Sequence, residues 1–287
     1  MASGLNQYSK ASYKASQQIT KQYSTSFYIA TTFLEKELQK SIFSIYGFVR
    51  FADEIVDTFH NFNKKDLLDK FEADLNDALQ NGISLNPVLQ SFQLTVKKYG
   101  IRREHIDAFM RSMRNDLTKK EYNNNEEVKE YIFGSAEVVG LMCLKVFCNG
   151  NENLYNELEV PAIKLGSAFQ KVNFLRDLKD DSLLLGRKYF PQIENGAFTE
   201  SVKKLIIEDI EIEFLSAYKG IKKLPGSSKL AVFIAYLYYK SLLKKIRITP
   251  AEKIIQTRIR ISNLKKFGLM LYANLIYKLN LLWKAAI

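Results

Sequence analysis

The sequence predicts a single all-α domain, and three observations carry that prediction. Apolar residues recur at helical steps of three and four, as in Leu67, Leu68, Phe71, Leu75, Ala78 and Leu79, and again in Leu205, Ile206, Ile210, Phe214 and Ala217. The 287 residues hold only five prolines and thirteen glycines, too few for the many tight turns of an all-β chain. The interruptions are short and polar: residues 60–64, 81–87, 99–102, 119–126, 149–153, 186–196 and 224–228, each mixing Asn, Gly, Pro or Ser or densely charged. Taken in order, they divide the chain into about ten helices. None is long enough to separate two domains, so the expectation is a polar tail over residues 1–20 followed by one domain over 21–287.

Composition narrows the function classes. With 47% hydrophobic and 25% charged residues the chain is neither disordered nor fibrous. Cys143 and Cys148 cannot make a disulfide framework, which points to a reducing, cytoplasmic setting. Met1 to Lys21 is polar and reads as no secretory signal. The longest apolar runs, Leu230–Tyr239 and Phe267–Tyr277, are shorter than the roughly 20 residues that span a bilayer. The net charge of +11 is unevenly placed: residues 1–200 carry 25 basic and 26 acidic side chains, residues 201–287 carry 17 and 5. No zinc-finger or RNP-type signature accompanies this basic third, so no nucleic-acid partner is expected. Most of its lysines read as a solvated face, and an anionic membrane or substrate suits the same charge.

Two segments carry the chemistry. In the first, Tyr46, Arg50, Asp53 and Asp57 form one polar stripe on a helix whose other positions, Phe48, Val49, Phe51, Ile55 and Val56, are apolar. In the second, Gly166, Gln170, Asn173, Asp177 and Asp181 form a stripe beside Leu165, Phe169, Val172, Phe174 and Leu178. Carboxylates on such helices are costly unless paired or metal-bound. Hard oxygen ligands with an amide carbonyl suit Mg²⁺, which completes its shell with water and substrate phosphates. The plainer alternative is local ion pairing, Arg50 with Asp53 and Arg176 with Asp177 or Asp180. His60 and His105 are isolated and read as structural or surface residues. No P-loop, dinucleotide fingerprint or nucleophile elbow occurs.

At these residues the sequence resembles the squalene/phytoene synthase family, the head-to-head prenyl-diphosphate condensing enzymes. The family's opening Ser-x-Ser-Phe is matched by Ser24, Ser26 and Phe27, its first aspartate motif by Tyr46, Arg50, Asp53 and Asp57, and its central small-residue helix by Tyr131 to Gly140. Its second aspartate motif is matched by Gln170, Asn173, Arg176, Asp177 and Asp181, its Arg-x-Tyr-x-Pro by Arg187, Tyr189 and Pro191, and its late basic stretch by Arg258 to Lys265. Among members, the run of motifs looks most like bacterial phytoene synthases of flavobacterial type. Where relatives can carry a His before Ser-x-Ser-Phe and a Lys inside it, this chain has Tyr23 and Thr25.

The resemblance implies an isoprenoid-synthase helical bundle with a central cavity. It implies two geranylgeranyl diphosphates joined through a cyclopropyl diphosphate to phytoene, with Mg²⁺ (Mn²⁺ as a substitute) and no NADPH. By the same resemblance Asp53, Asp57, Asn173, Asp177 and Asp181 hold the metal, and Arg50, Arg176, Tyr189, Arg258 and Arg260 contact diphosphate. Ser24, Ser26, Phe27, Tyr46 and Gln170 contact substrate, and Tyr131 joins the aspartates as a catalytic candidate. Phe27, Tyr46, Phe169 and Tyr131 are the aromatic groups expected to face an allylic cation. Small residues Gly134, Ala136, Gly140, Ala162 and Gly166 either make room for a prenyl tail or let helices pack closely. A squalene or dehydrosqualene synthase using farnesyl diphosphate is the nearest alternative, and a non-catalytic assembly or binding relative is the alternative of another class. A greasy product and a basic C-terminal third lead to the expectation of peripheral attachment to anionic membrane; oligomeric state is left open.

Overall fold

The computed structural model describes residues 2–180, 189–191, 193 and 198–281, and among these it holds thirteen α-helices and no β-sheet. The expected breaks are helix boundaries, except 186–196, which lies largely outside the described residues. Helix α3 (Lys36–Asp57) stops before the 58–63 turn, and Asn63 caps α4 (Lys64–Asn81) by accepting from the Asp66 N–H. Gly82 then takes a left-handed conformation, which suits glycine, and Asn86 and Pro87 open α5 (Pro87–Tyr99). Helix α6 (Arg103–Asp116) follows, then α7 (Asn125–Ile132), a π-helical turn over Phe133–Glu137, and α8 (Val138–Cys148). Helix α9 (Glu152–Asp180) carries the second polar stripe. Helices α10 (Glu200–Ile221), α11 (Gly226–Ile248), α12 (Ala251–Ile254) and α13 (Asn263–Lys278) complete the described chain.

The first twenty residues are not a tail. Ala2–Tyr23 is helix α1, packed on α3 and α5. Its buried face is made of Ser12, Ser16 and Thr20, all fully covered, so no apolar stripe announces it. The Ser12 and Thr20 hydroxyls donate to the carbonyls of Tyr8 and Ser16 one turn back, and Ser16 Oγ lies 2.8 Å from Ser91 Oγ on α5. Small side chains satisfied this way allow close approach: a Cβ at Gly47 of α3 would meet Ser16 Oγ at 2.9 Å. Helix α2 (Thr25–Thr31) follows α1 directly, with Ser24 as its N-cap.

Two large cores flank the centre. One is built from α3 to α6 with α8, around Phe48, Phe71, Phe92 and Phe109; the other from α9 to α13, around Phe214, Phe233 and Tyr236. The continuous helical stretch Asn125–Cys148 is long and apolar enough to cross a membrane by length and composition, contrary to the run lengths read from sequence. Its more apolar part is mostly buried against α3, α6 and α9, as expected for a core helix.

Candidate active site

Both polar stripes lie toward the C-terminal halves of their helices, α3 and α9. There the helix ends are already electronegative, so carboxylates need a cationic partner. In this structure arginines supply it. Arg50 donates to Asp53 Oδ2 at 2.5 Å and also pairs with Glu54. Arg176 donates through Nε to Asp177 Oδ1 at 2.9 Å and pairs with it again through Nη2, and Arg258 Nε reaches the same Oδ1 at 2.8 Å. The local ion pairs weighed in the sequence therefore form, but half-buried rather than on an open surface: the Arg176 and Asp177 side chains are 21% and 18% exposed. Burial works against the charge of Arg176, and the hydrogen bond and charge of Asp177 outweigh it, holding the guanidinium pKa above its ordinary value.

Between the two cores lies a cavity of about 430 Å³, in the range of small-molecule sites. At one end its wall is polar: Ser24, Ser26, Tyr46, Gln170, Asn173 and Arg176. Thr31 and Ser135 add two hydroxyls, and most of the remainder is apolar, from Leu34, Ile42, Ile45 and Val49 to Leu144, Phe147, Leu158 and Leu224. Phe27 stacks on Tyr46 at 5.0 Å, Phe169 stacks on Tyr239 at 3.9 Å, and the Tyr239 hydroxyl donates to Asn173 Oδ1 at 3.2 Å. Burial pushes Tyr46 up to about 12 and raises Tyr239 as well, so both phenols stay protonated. Tyr239 joins the second stripe through its hydrogen bond to Asn173, and Tyr46 of the first stripe lines the same cavity. Tyr46 of the first stripe and Gly166, Gln170 and Asn173 of the second line this one cavity, whereas Asp53, Asp57 and Asp177 are not among its lining residues.

The family model for squalene/phytoene synthase matches residues 20–209, a span that contains α2, both stripes and the cavity's π-helical wall. The chain belongs to the squalene/phytoene synthase family. It is 29% identical over 255 residues to phytoene synthase 1 of Zea mays, covering 83% of this chain and 62% of that one. It is 28% identical over 261 residues to a phytoene synthase of Arthrospira platensis, covering 82% of this chain and 84% of that one. The chain therefore spans about three fifths of the length of the maize relative. In fold it is similar to a crystallised dehydrosqualene synthase, with a TM-score of 0.80 over 95% of this chain and 98% of the other at 20% identity. This likeness shows the isoprenoid-synthase helical fold that the motifs implied.

The family's motif residues do not all reach the cavity. Ser24, Ser26, Phe27, Tyr46, Gln170, Asn173 and Arg176 line it, as do Phe169, Ala136, Gly140, Ala162 and Gly166. Arg50 lies behind Tyr46, beside a smaller hollow shared with Tyr23, Phe51 and Phe59; the Tyr23 ring sits 4.4 Å from its guanidinium carbon. Tyr131 and Tyr189 pack with Tyr122 and Phe174 in an aromatic stack, and the Tyr131 hydroxyl donates to Asp116 Oδ2 at 3.1 Å. Neither lines the cavity. Gly134 serves packing: a Cβ there would meet the Ala108 carbonyl oxygen of α6 at 2.8 Å. Arg260 is exposed. Asp181 and Arg187 lie outside the described residues, as does the Asp180 side chain. Sequence reasoning missed Tyr238 and Tyr239, which sit within an apolar run with no motif around them, and it missed Glu54 and Arg258 as partners of the stripes.

Among the described residues no three His, Cys, Asp or Glu side chains gather closely enough to hold a metal by themselves. The donor set nonetheless fits Mg²⁺, which takes one or two carboxylates and completes its shell with water and phosphate oxygens. Asp53 and Asp57 from α3, and Asn173 and Asp177 from α9, offer hard oxygens at electronegative helix ends.

Proposed function

We propose that the chain joins two geranylgeranyl diphosphates head to head, giving phytoene and releasing diphosphate. The observation that carries this reading is the make-up of the cavity: hydrogen-bond donors and the Arg176 guanidinium in a wall that is otherwise mostly apolar. That shape suits a long hydrocarbon with an anionic head. Similarity to phytoene synthases over more than four fifths of the chain favours the C20 substrate.

In this reading Arg176 and Arg50 bind diphosphate oxygens once the carboxylates they now neutralise are otherwise occupied. Arg50 Nε is buried and donates to nothing among the described residues, so it is open to such an acceptor. Asp53, Asp57, Asn173 and Asp177, with Asp181, would hold Mg²⁺, which supplies Lewis-acid stabilisation of the leaving diphosphate. Fixed donors at the polar end stabilise the negative charge that develops as the carbon–oxygen bond breaks. Phe27, Tyr46, Phe169 and Tyr239 present ring faces to the cationic carbon, worth about 0.5–2 kcal/mol each. The apolar wall keeps water from that carbon. No step needs NADPH.

Incubation of purified protein with Mg²⁺ and either geranylgeranyl or farnesyl diphosphate, followed by identification of the hydrocarbon, tests the proposal. A C40 product from the first is expected. Product from farnesyl diphosphate alone would reassign the chain to squalene or dehydrosqualene formation, and binding of both without product would favour a non-catalytic relative.

A further inference from the structure

Among the described residues, helix α13 leaves one face without a partner. Its inner side, with Leu269, Met270, Ala273, Ile276 and Tyr277, packs on the core that contains α11, and the Tyr277 hydroxyl donates to the Gly226 carbonyl. Its outer side carries Leu264, Phe267, Leu271 and Leu275, continued by Leu279, at steps of three and four. These are 83%, 54%, 52%, 56% and 56% exposed. Five large apolar side chains in one stripe form a contiguous patch rather than the scattered singles of an ordinary surface.

We infer that this face of α13 docks on an anionic phospholipid bilayer. Charge decides the occupant. Lys265 and Lys278 are exposed at the two ends of the stripe, and no residue from 253 to 281 is acidic. Several other cations of the basic third are paired with acids: Lys240 and Arg247 with Glu211, and Lys223 with Glu157. An apolar stripe bounded by lysines and free of acids is the pattern of a helix lying in a headgroup layer, with leucines in the acyl boundary and lysines reaching phosphate. The position suits the cavity as well. Lys266, at the start of α13, sits 5.5 Å from the ring centroid of Tyr238, and Tyr238 lines the cavity.

Flotation of the full chain with vesicles tests the inference without reference to turnover, so its outcome is separate from that of the prenyl-transfer reading. The protein is expected to float with vesicles of mixed phosphatidylglycerol and phosphatidylcholine and far less with phosphatidylcholine alone. Leu271→Glu with Leu275→Glu should lower vesicle binding by at least about tenfold, with unchanged helicity and melting temperature. Lys265→Glu with Lys278→Glu, which leaves the apolar stripe intact, should lower binding to the anionic vesicles by about tenfold and leave the weak neutral binding unchanged. Absence of flotation, or flotation untouched by both pairs, overturns the inference. So does a dimer in sedimentation analysis that the leucine variant converts to monomer while vesicle binding stays absent.

Discussion

At the scale of single residues, Asp177 is the junction of the site. It accepts from Arg176 on its own helix and from Arg258, and its charge reaches Tyr239. Asp177→Asn removes that charge at nearly constant volume. Turnover should fall by about a hundredfold or more, while the circular dichroism spectrum stays that of the parent. Turnover within a few-fold of the parent would remove Asp177 from the machinery. A second residue makes a prediction in pH. Burial and the neighbouring Glu213 push Glu137 up to about 7 from an ordinary 4.5. The folded chain holds this proton more tightly than the unfolded chain, so stability is greatest below the ordinary value and falls as pH rises toward 7. Glu137→Gln should therefore gain on the order of 1–2 kcal/mol over the parent near pH 8 and little near pH 5. Urea denaturation at the two pH values reads the difference, and an equal effect at both would refute the assignment.

At the scale of elements, the π-helical turn between α7 and α8 sets part of the cavity wall and part of the packing. Ser135 and Ala136 face the cavity, while Gly134 lies against α6 so closely that a Cβ would meet Ser112 Oγ at 2.3 Å. Gly134→Ala should cost about 1–3 kcal/mol in urea denaturation through overpacking. Gly268→Ala on α13 meets nothing within 4 Å and should be neutral or raise stability by up to about 1 kcal/mol through helix propensity. Equal effects of the two would contradict the packing role of the turn. Elements also show where the sequence was legible. The breaks at Gly82, Gly100 and Asn149 were readable because left-handed caps demand Gly or Asn. Helix α1 was not, because its buried face is Ser12, Ser16 and Thr20, and apolar periodicity cannot report a helix that packs through hydroxyls. The two stripes were legible because polar residues at helical spacing stood out against apolar neighbours. Tyr239 was hidden among the apolar residues of α11, and the Arg258–Asp177 pair joins residues 81 positions apart that no local pattern connects.

At the scale of the whole molecule, two cores built largely from different parts of the chain hold a cavity between them, mostly apolar, with Tyr46 of α3 and Gln170, Asn173 and Arg176 of α9 in its polar wall. Between the cores the small residues Gly140, Ala162 and Gly166 keep the helices close while leaving the cavity open. The central claim is that this one cavity takes a prenyl diphosphate head first against the two stripes. A crystal structure with Mg²⁺ and a non-hydrolysable geranylgeranyl thiodiphosphate measures that directly. The diphosphate is predicted between Arg50, Asp53, Asn173, Arg176 and Asp177, with the hydrocarbon running past Phe27 and Phe169 toward Leu158. A diphosphate bound away from both stripes, or a hydrocarbon lodged outside the cavity, would contradict the account.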